Sequence, residues 1–181
     1  MRTPELRTER LLLRGWRDED LDALAPICAD VETMRWVGSP EGMNREETWR
    51  HMAYLVGHWV LRGHGVWAVE ERDGGELVGR VGLLFPEGWP GLEVGWLIAR
   101  PHWGKGYATE AARAAMDWAR AELDATHLIS LIADDNERSE RVAQKLGMAV
   151  EGRATILGES DVRVFGCDLG SQEEQSTRKR L

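Results

Sequence analysis

The chain has 181 residues, about one domain by length, and a formal net charge of -8 at pH 7. That acidic balance argues against nonspecific nucleic-acid binding, which depends on basic surface, and is compatible with a cationic substrate such as an amine. Two distant cysteines, Cys28 and Cys167, argue against a disulfide framework and a zinc site. No stretch approaches the roughly 20 apolar residues of a membrane span, and the first residues lack an apolar signal-peptide centre. We therefore predict a cytoplasmic protein with no membrane partner.

The first predicted elements are a strand, a helix and an irregular link. Residues 10–17 alternate around Leu11, Leu13 and Gly15, which predicts a strand. The acidic residues 18–20 are expected to cap a helix, because the residues after them are apolar at helical spacing. Residues 30–44 show no period, and Trp36 in this link either lines a substrate pocket or packs the loop onto the core.

A long helix and an antiparallel meander of three strands are predicted next. Asn44 followed by Glu47 is a capping-box pattern, and apolar residues at helical spacing continue to about Arg62. The strands of the meander are predicted at residues 65–72, 76–85 and 93–99. The hairpin turn between the first two strands is predicted at residues 73–75. The histidines of this region have no metal-ligand spacing, so no metal site is predicted.

The stretch over residues 93–111 predicts an anion site. Its first, mostly apolar part predicts a buried strand that ends at Pro101, because proline has no N–H group for a strand ladder. Residues 103–109 are glycine-rich and precede an alanine-rich run to Glu122, which predicts a helix. A strand, a glycine-rich turn and a helix in this order bring free backbone N–H groups and a positive helix end together, and such a site suits phosphate.

The rest of the chain predicts a strand, a helix and a closing hairpin. The strand is predicted at residues 127–133 and the helix at residues 136–146. The two strands of the hairpin are predicted at residues 148–157 and 161–169, with the turn around residues 158–160. The last residues are polar and charged, which is typical of a frayed tail. We therefore predict one domain over residues 1–170 and a tail over residues 171–181.

Two motifs in this sequence resemble the GNAT (Gcn5-related N-acetyltransferase) superfamily. Residues 103–111 are similar to its acyl-CoA-binding motif Gln/Arg-x-x-Gly-x-Gly/Ala, with Trp103 at the first anchor and Gly106 and Ala108 at the last two. Residues 136–148 are similar to the signature Asn-x-x-Ser-x-x-x-x-x-Lys-Leu-Gly-Phe, with Met148 where Phe is usual. Both forms resemble the subgroup of ribosomal-protein serine/alanine N-terminal acetyltransferases, and the resemblance covers about residues 6–169.

The resemblance implies a single-domain α/β (α+β) fold with a mixed, mostly antiparallel sheet of about seven strands and helices on both faces. It also implies acetyl-CoA as the cosubstrate, with its pantetheine arm between the strands at residues 93–99 and 127–133. Backbone groups of the first of these strands and of the glycine-rich loop would then bind it, together with two side chains of the second motif. The implied cofactor-binding residues are Trp96, Ile98, Trp103, Gly104, Lys105, Gly106, Tyr107, Ala108, Thr109, Asn136 and Ser139.

The same resemblance implies two catalytic residues, Glu93 and Ser139. Ser139 is implied as the proton donor to the departing thiolate, because Tyr54 and Tyr107 do not match the tyrosine that many GNAT enzymes use for this role. Glu93 is implied as the general base, since partial burial in an apolar strand would raise its pKa toward the range useful for deprotonating an amine. The alternatives are a salt-bridged edge residue for Glu93 and a helix-start hydrogen bond for Ser139.

Several functions remain open at this point. The leading prediction is an acetyl-CoA-dependent N-acetyltransferase, an acyltransferase acting on a primary amine, for which the subgroup suggests a protein N-terminal α-amine. The alternatives are a small amine acceptor (an antibiotic, polyamine or amino acid), a noncatalytic acyl-CoA-binding module, and a nucleotide-phosphate binder. A Gly-x-Gly pattern alone is a weak signal, so a purely structural turn is a further alternative. Exposed strand edges make a homodimer an option.

Overall fold

The structure, a computed structural model of the chain, describes residues 3–156 and 160–170. Its strands are β1 Leu6–Arg7, β2 Leu11–Arg14, β3 Val66–Glu71, β4 Leu77–Leu84, β5 Glu93–Ile98, β6 His127–Ile132, β7 Ala149–Ile156 and β8 Ser160–Asp168. Its helices are α1 Asp20–Ala29, α2 Val31–Met34, α3 Arg45–Arg62, α4 Tyr107–Glu122 and α5 Glu137–Lys145, with a 3-10 turn at Arg100–His102. The predicted hairpin turn at residues 158 and 159 and the predicted tail over residues 171–181 lie outside the described residues.

The strands form one sheet in the order β1-β2-β3-β4-β5-β6-β8-β7. Every neighbouring pair is antiparallel except β5 and β6, which confirms the mixed, mostly antiparallel sheet. The sheet has one strand more than the expected seven, because Leu6 and Arg7 pair with β2 as the short strand β1. A strand of two residues is too short to show an alternating pattern in the sequence.

Helices cover both faces of the sheet, as expected. Successive residues of a strand point to opposite faces, and Trp67 and Ala68 on β3 belong to two separate buried apolar clusters. The cluster around Trp67 includes α4 residues such as Ala111, whereas the cluster around Ala68 includes residues of α1, α2 and α3. Leu97 and Ile98 on β5 divide in the same way. We therefore distinguish an α1–α3 face, which carries Leu97, from an α4 face, which carries Ile98.

The local structure around α1 differs from the expectation in two places. Glu19, one of the acidic residues expected to cap α1, occupies the N-cap position, but no side chain makes the cap hydrogen bond. The buried Asp20 carboxylate instead accepts hydrogen bonds from the Arg14 guanidinium (2.7 and 2.8 Å) and from the Arg17 N–H (2.7 Å), so it ties α1 to β2. The link that follows is also not wholly irregular, since α2 forms one helical turn inside it.

The starts of α3 and α5 agree with the sequence. The Asn44 amide oxygen accepts a hydrogen bond from the Glu47 N–H (3.0 Å), and the Glu47 carboxylate accepts one from the Asn44 N–H (2.8 Å), which confirms the capping box. Asn136 caps α5 through the Ser139 N–H (3.2 Å). Over the described residues, no helix combines the length and the apolar character that a membrane span requires.

Candidate active site

A cleft opens where β5 and β6 separate. These parallel strands are paired at Glu93 and Ile129, and the Ile129 N–H donates to the Leu92 carbonyl (3.0 Å). Beyond this point, a cleft of about 310 Å³ lies between the second half of β5, the start of α4, α5 and the region of α2. All the residues predicted to bind the cofactor, except Lys105, are among those that line it.

The second half of β5 offers backbone groups to this cleft. The Ala99 N–H donates to the Val78 carbonyl of β4 (2.8 Å), and neighbouring residues of a strand direct their backbone groups to opposite sides. The backbone groups of Trp96 and Ile98 therefore point away from β4, toward the side from which β6 has separated. The Ile98 carbonyl already accepts a hydrogen bond from the Trp103 indole N–H (2.7 Å). The Ile98 N–H and both backbone groups of Trp96 are thus placed to pair with an extended ligand.

The loop before α4 presents an open helix N-terminus. Gly104 (φ +78°) and Gly106 (φ +85°) both adopt left-handed backbone conformations, which glycine reaches without a steric penalty. Gly106 is the N-cap residue of α4, and no side chain accepts a hydrogen bond from the N–H groups there. Glu110, in the first turn, instead accepts hydrogen bonds from the Thr8 hydroxyl (2.6 Å) and the Arg10 N–H (2.9 Å). The positive end of α4 is therefore open to an anion.

The side chains of Lys105 and Tyr107 are engaged with Glu71. The Lys105 ammonium lies 3.7 Å from the Glu71 carboxylate and 3.1 Å from His102 Nδ1. The Tyr107 hydroxyl donates a hydrogen bond to Glu71, and this bond raises the pKa of Tyr107. In this arrangement the Lys105 side chain faces Glu71 and is not among the residues that line the cleft, and the Tyr107 hydroxyl is not presented as a proton donor.

A row of cations on α5 forms one wall of the cleft, and it was not among the residues predicted from the sequence. Arg138, Arg141 and Lys145 all line the cleft, and the Arg138 guanidinium lies 4.0 Å from the centre of the Trp103 ring. Residues three and four positions apart share one side of a helix, so the spacing of these three residues was the available signal. A positive wall beside an open helix N-terminus suits a ligand with several phosphate groups.

The two motifs found in the sequence meet in this cleft. Trp96, on β5, donates its indole N–H to the Ser139 hydroxyl oxygen on α5 (3.2 Å). The Asn136 amide oxygen accepts a hydrogen bond from the Ser139 N–H (3.2 Å), so this oxygen is used to cap α5. The Asn136 amide NH2 donates no hydrogen bond within the part of the chain that the structure describes, which leaves it available to a ligand.

Glu93 lies at the point where β5 and β6 separate. One of its carboxylate oxygens accepts a hydrogen bond from the Trp89 indole N–H (2.6 Å) and the other from the Leu131 N–H of β6 (3.4 Å). Burial is the largest effect on its pKa and raises it, against the lowering effects of the two hydrogen bonds and of Arg80. Glu93 forms no ion pair with the described residues, and β5 is an inner strand. The alternative of a salt-bridged edge residue is therefore not what this structure contains.

Comparison with known proteins gives consistent matches along most of the chain. Residues 10–149 match the acetyltransferase (GNAT) domain family. The Bacillus subtilis (strain 168) protein YkkB is 33% identical over 152 residues, which are 80% of this chain and 84% of YkkB. The crystal structure of the acetyltransferase from Agrobacterium tumefaciens str. C58 has a TM-score of 0.81 and 32% identity, and the match covers 92% of this chain and 95% of that one. RimL, a ribosomal L7/L12 alpha-N-protein acetyltransferase in complex with coenzyme A, shares the fold with a TM-score of 0.73 and 20% identity, over 91% of this chain and 98% of RimL.

Proposed function

This chain belongs to the GNAT acetyltransferase family, and we propose that it transfers the acetyl group of acetyl-CoA to a primary amine by direct attack on the thioester. The observation that carries the proposal is a single cleft that joins an uncapped helix N-terminus to the unpaired side of β5. Coenzyme A carries a pyrophosphate, which suits the helix N-terminus, and a pantetheine arm whose amides suit a strand edge. RimL, which shares the fold, holds coenzyme A, and this supports the same ligand here.

The lining residues fit the parts of this cosubstrate. The N–H groups at the start of α4, from Tyr107 to Thr109, would hold the pyrophosphate. The backbone of Trp96 and Ile98 would pair with the pantetheine amides as an added strand does. The three cations of α5 and the Asn136 amide would complete the contacts along the phosphates and the arm.

The reaction requires two proton transfers, one from the attacking amine and one to the departing thiolate. Acetyl-CoA supplies an activated thioester, at which a C–N bond forms and the C–S bond breaks. Glu93 accepts the proton that the attacking amine must lose, directly or through one water molecule. Ser139 donates a proton to the departing thiolate. The Trp96 indole N–H occupies a lone pair of the Ser139 oxygen, so the hydroxyl proton is left to point toward another acceptor.

Ser139→Ala is expected to lower kcat by roughly 10²-fold, the lower end of the range for a general acid, because the thiolate would then leave without a proton donor. The KM for acetyl-CoA should change little, since the Asn136 cap and the backbone contacts remain. Steady-state kinetics of thiol release would measure both constants. Ser39→Ala, on the link outside the residues that line the cleft, is the matched control and should behave as the unchanged protein. An unchanged kcat in Ser139→Ala would show that another group protonates the thiolate.

The proposed activity is tested by following free CoA thiol when amines are added to the protein and acetyl-CoA. We expect thiol release that depends on the amine, and a product that is heavier by one acetyl group. Binding of acetyl-CoA without acetylation of any amine would instead favour a noncatalytic acyl-CoA-binding module. The panel must contain peptides with a free N-terminal α-amine, the acceptor suggested by the RimL name, as well as small amines. A homodimer and a cytoplasmic location stay predictions.

A further inference from the structure

Arg80 is a buried cation for which the described residues provide no hydrogen-bond or ion-pair partner. It lies on β4 with 6% of its surface exposed, and its Nε is buried with no hydrogen-bond partner. Among residues 3–156 and 160–170, the Arg80 guanidinium takes part in no ion pair within 4.0 Å and in no side-chain hydrogen bond. A guanidinium carries five N–H donors in a planar fork that matches a carboxylate. Burial of the Nε donor without an acceptor is costly, and each such group in a native protein requires an explanation.

Arg14 shows how this chain satisfies a buried arginine whose role is structural. It is 4% exposed, nearly the same as Arg80. Its guanidinium donates to Asp20 (2.7 and 2.8 Å) and to Glu70 (2.7 Å), and these hydrogen bonds raise its pKa. Two carboxylates thus neutralise Arg14 inside the fold. Burial is the largest effect on the pKa of Arg80 and lowers it, and no carboxylate of the described residues forms an ion pair with its guanidinium.

Arg80 and Glu93 point to the same face of the sheet. Arg80 pairs with Leu97, and Glu93 pairs with Leu84. Directly opposite residues of an antiparallel pair share a face, and positions two apart on one strand do as well. Both side chains therefore lie on the α1–α3 face, which carries Leu97. Arg80 also lies close enough to Glu93 to lower the pKa of that carboxyl.

The sheet between these two side chains leaves room beside the carboxylate. Gly95 lies between Glu93 and Leu97 on the same face of β5. A Cβ atom on Gly95 would have the Glu93 carboxylate oxygen, at 3.8 Å, as its one neighbour within 4 Å among the described residues. The α3 side of this space holds His51 and Tyr54, both within electrostatic range of Arg80. Burial lowers the pKa of His51 to about 3, so His51 is neutral near pH 7 and does not compete with Arg80 for an anion.

We propose that Arg80 binds the carboxylate of the acceptor while the amine of the same molecule is presented to Glu93, so that the acceptor is a small amino acid-like molecule. This inference rests on the proposed acetyl transfer and names its substrate class. A guanidinium with only 6% exposure, on the face that α1 and α3 cover, suits a carboxylate on a small molecule, because no protein chain must follow that carboxylate beneath the helices. The unpaired donors of Arg80 and the base at Glu93 then recognise the two ends of one acceptor.

The stability of Arg80→Met separates this role from a structural one. Methionine replaces a buried unpaired charge with an apolar side chain of similar length, so we expect an unchanged or higher Tm in the absence of ligands. Arg14→Met is the matched control, and its Tm should fall because Asp20 would be left buried without its partner. A fall in the Tm of Arg80→Met similar to that of Arg14→Met would overturn the inference.

The acceptor preference is tested with L-amino acids and ω-amino acids, each paired with its carboxamide, compared at equal concentrations of free amine. We expect kcat/KM to favour the acid over the amide by on the order of 10- to 100-fold, the range of a hydrogen bond to a charged group. Arg80→Met should bring this ratio close to one. Arg50→Met, at an exposed position on α3, should keep it. Equal kcat/KM values for acids and amides would overturn the inference, and so would a preference for acids that persists in Arg80→Met. It would also be overturned if peptides were acetylated faster than every amino acid and Arg80→Met did not change their rate.

Ligand binding distinguishes this result from a failure of the proposed function. The same amino acids should raise the Tm of the protein in the presence of CoA, and should not raise that of Arg80→Met. If amino acids raise the Tm only when Arg80 is present and no amine is acetylated, the result would support the carboxylate site and contradict the acetyltransferase function. If amines are acetylated and no amino acid raises the Tm, the result would support the acetyltransferase function and contradict the carboxylate site at Arg80.

Discussion

Glu93→Gln is expected to lower kcat for amine acetylation by roughly 10²- to 10⁴-fold, the usual contribution of a general base. The amide cannot accept the proton that the attacking amine must lose. Gln keeps the shape of Glu, and its one oxygen can still accept the Trp89 hydrogen bond (2.6 Å) while the longer bond from the Leu131 N–H (3.4 Å) is lost, so the strand and the cleft should be preserved. Acetyl-CoA binding, measured by calorimetry, should therefore stay within a few-fold of the unchanged protein.

The pH profile gives this prediction a second readout. Glu93 must be ionised to act as a base, and burial raises its pKa above the ordinary value of 4.5. Activity should thus be full above the raised pKa and should fall as the pH drops through it, at a higher pH than for an exposed glutamate. Glu93→Gln should lose this limb of the profile. It should also have an unchanged or higher Tm, because ionised Glu93 costs stability above its raised pKa.

The control for this variant is Glu87→Gln, on the turn that precedes β5. The Glu87 side chain is 100% exposed, so its replacement should leave both kcat and the pH profile unchanged. A kcat for Glu93→Gln close to that of the control would show that another group, or water alone, removes the amine proton.

Gly106→Asp is expected to weaken acetyl-CoA binding by roughly 10²-fold or more. The substitution places a negative charge at the N-cap of α4, where we propose that the pyrophosphate binds. Two unit charges about 4 Å apart repel by about 4 kcal/mol at an effective dielectric constant of about 20. Aspartate is one of the residues that tolerate a left-handed backbone, and a Cβ atom at Gly106 meets only the Arg10 guanidinium, at 3.5 Å. The loop should therefore still form.

Two controls separate charge from shape and strain in this experiment. Gly106→Asn has the same size without the charge, so it should lose much less affinity for acetyl-CoA. Gly74→Asp tests the strain alone, because Gly74 has φ +105° and open space around it in the hairpin turn between β3 and β4. Equal losses of affinity in Gly106→Asp and Gly106→Asn would mean that phosphate charge is not what the loop recognises.

The parts of this site that could be predicted from the sequence are those that local patterns specify. The glycines at 104 and 106, placed between an apolar run and an alanine-rich run, predicted the open N-terminus of α4. Asn136 predicted the start of α5 in the same way. Their meeting through the Trp96–Ser139 hydrogen bond depends on the separation of β5 and β6, for which the sequence offered only a family resemblance.

Trp103 illustrates a residue whose role required the structure. Its position departs from the Gln/Arg of the resembling motif, and nothing in the sequence said what it would contact. In the structure its indole N–H satisfies the Ile98 carbonyl, and its ring packs beneath Arg138. It therefore both closes the end of β5 and supports the cationic wall of the cleft.

Arg80 could not have been found from the sequence, because its significance is the absence of a partner. Arg14 and Arg80 are both arginines in predicted strands, and only the tertiary structure shows two carboxylates at the first and none bonded to the second among the described residues. Asp20 also has a role that only the tertiary structure shows. The acidic residues 18–20 predicted a helix cap, whereas Asp20 forms an ion pair with Arg14 on another element.

The claim that the cleft beside β5 binds acyl-CoA is tested most directly by thermal unfolding with acetyl-CoA, CoA, ATP and NAD in parallel. A ligand at about 100 times its Kd adds roughly 2.7 kcal/mol, which is about 5–10 °C in Tm for a domain of this size. We predict such a shift with acetyl-CoA and CoA, and none with ATP or NAD at the same concentration. No shift with either CoA species at saturating concentration, or an equal shift with ATP or NAD, would contradict the account.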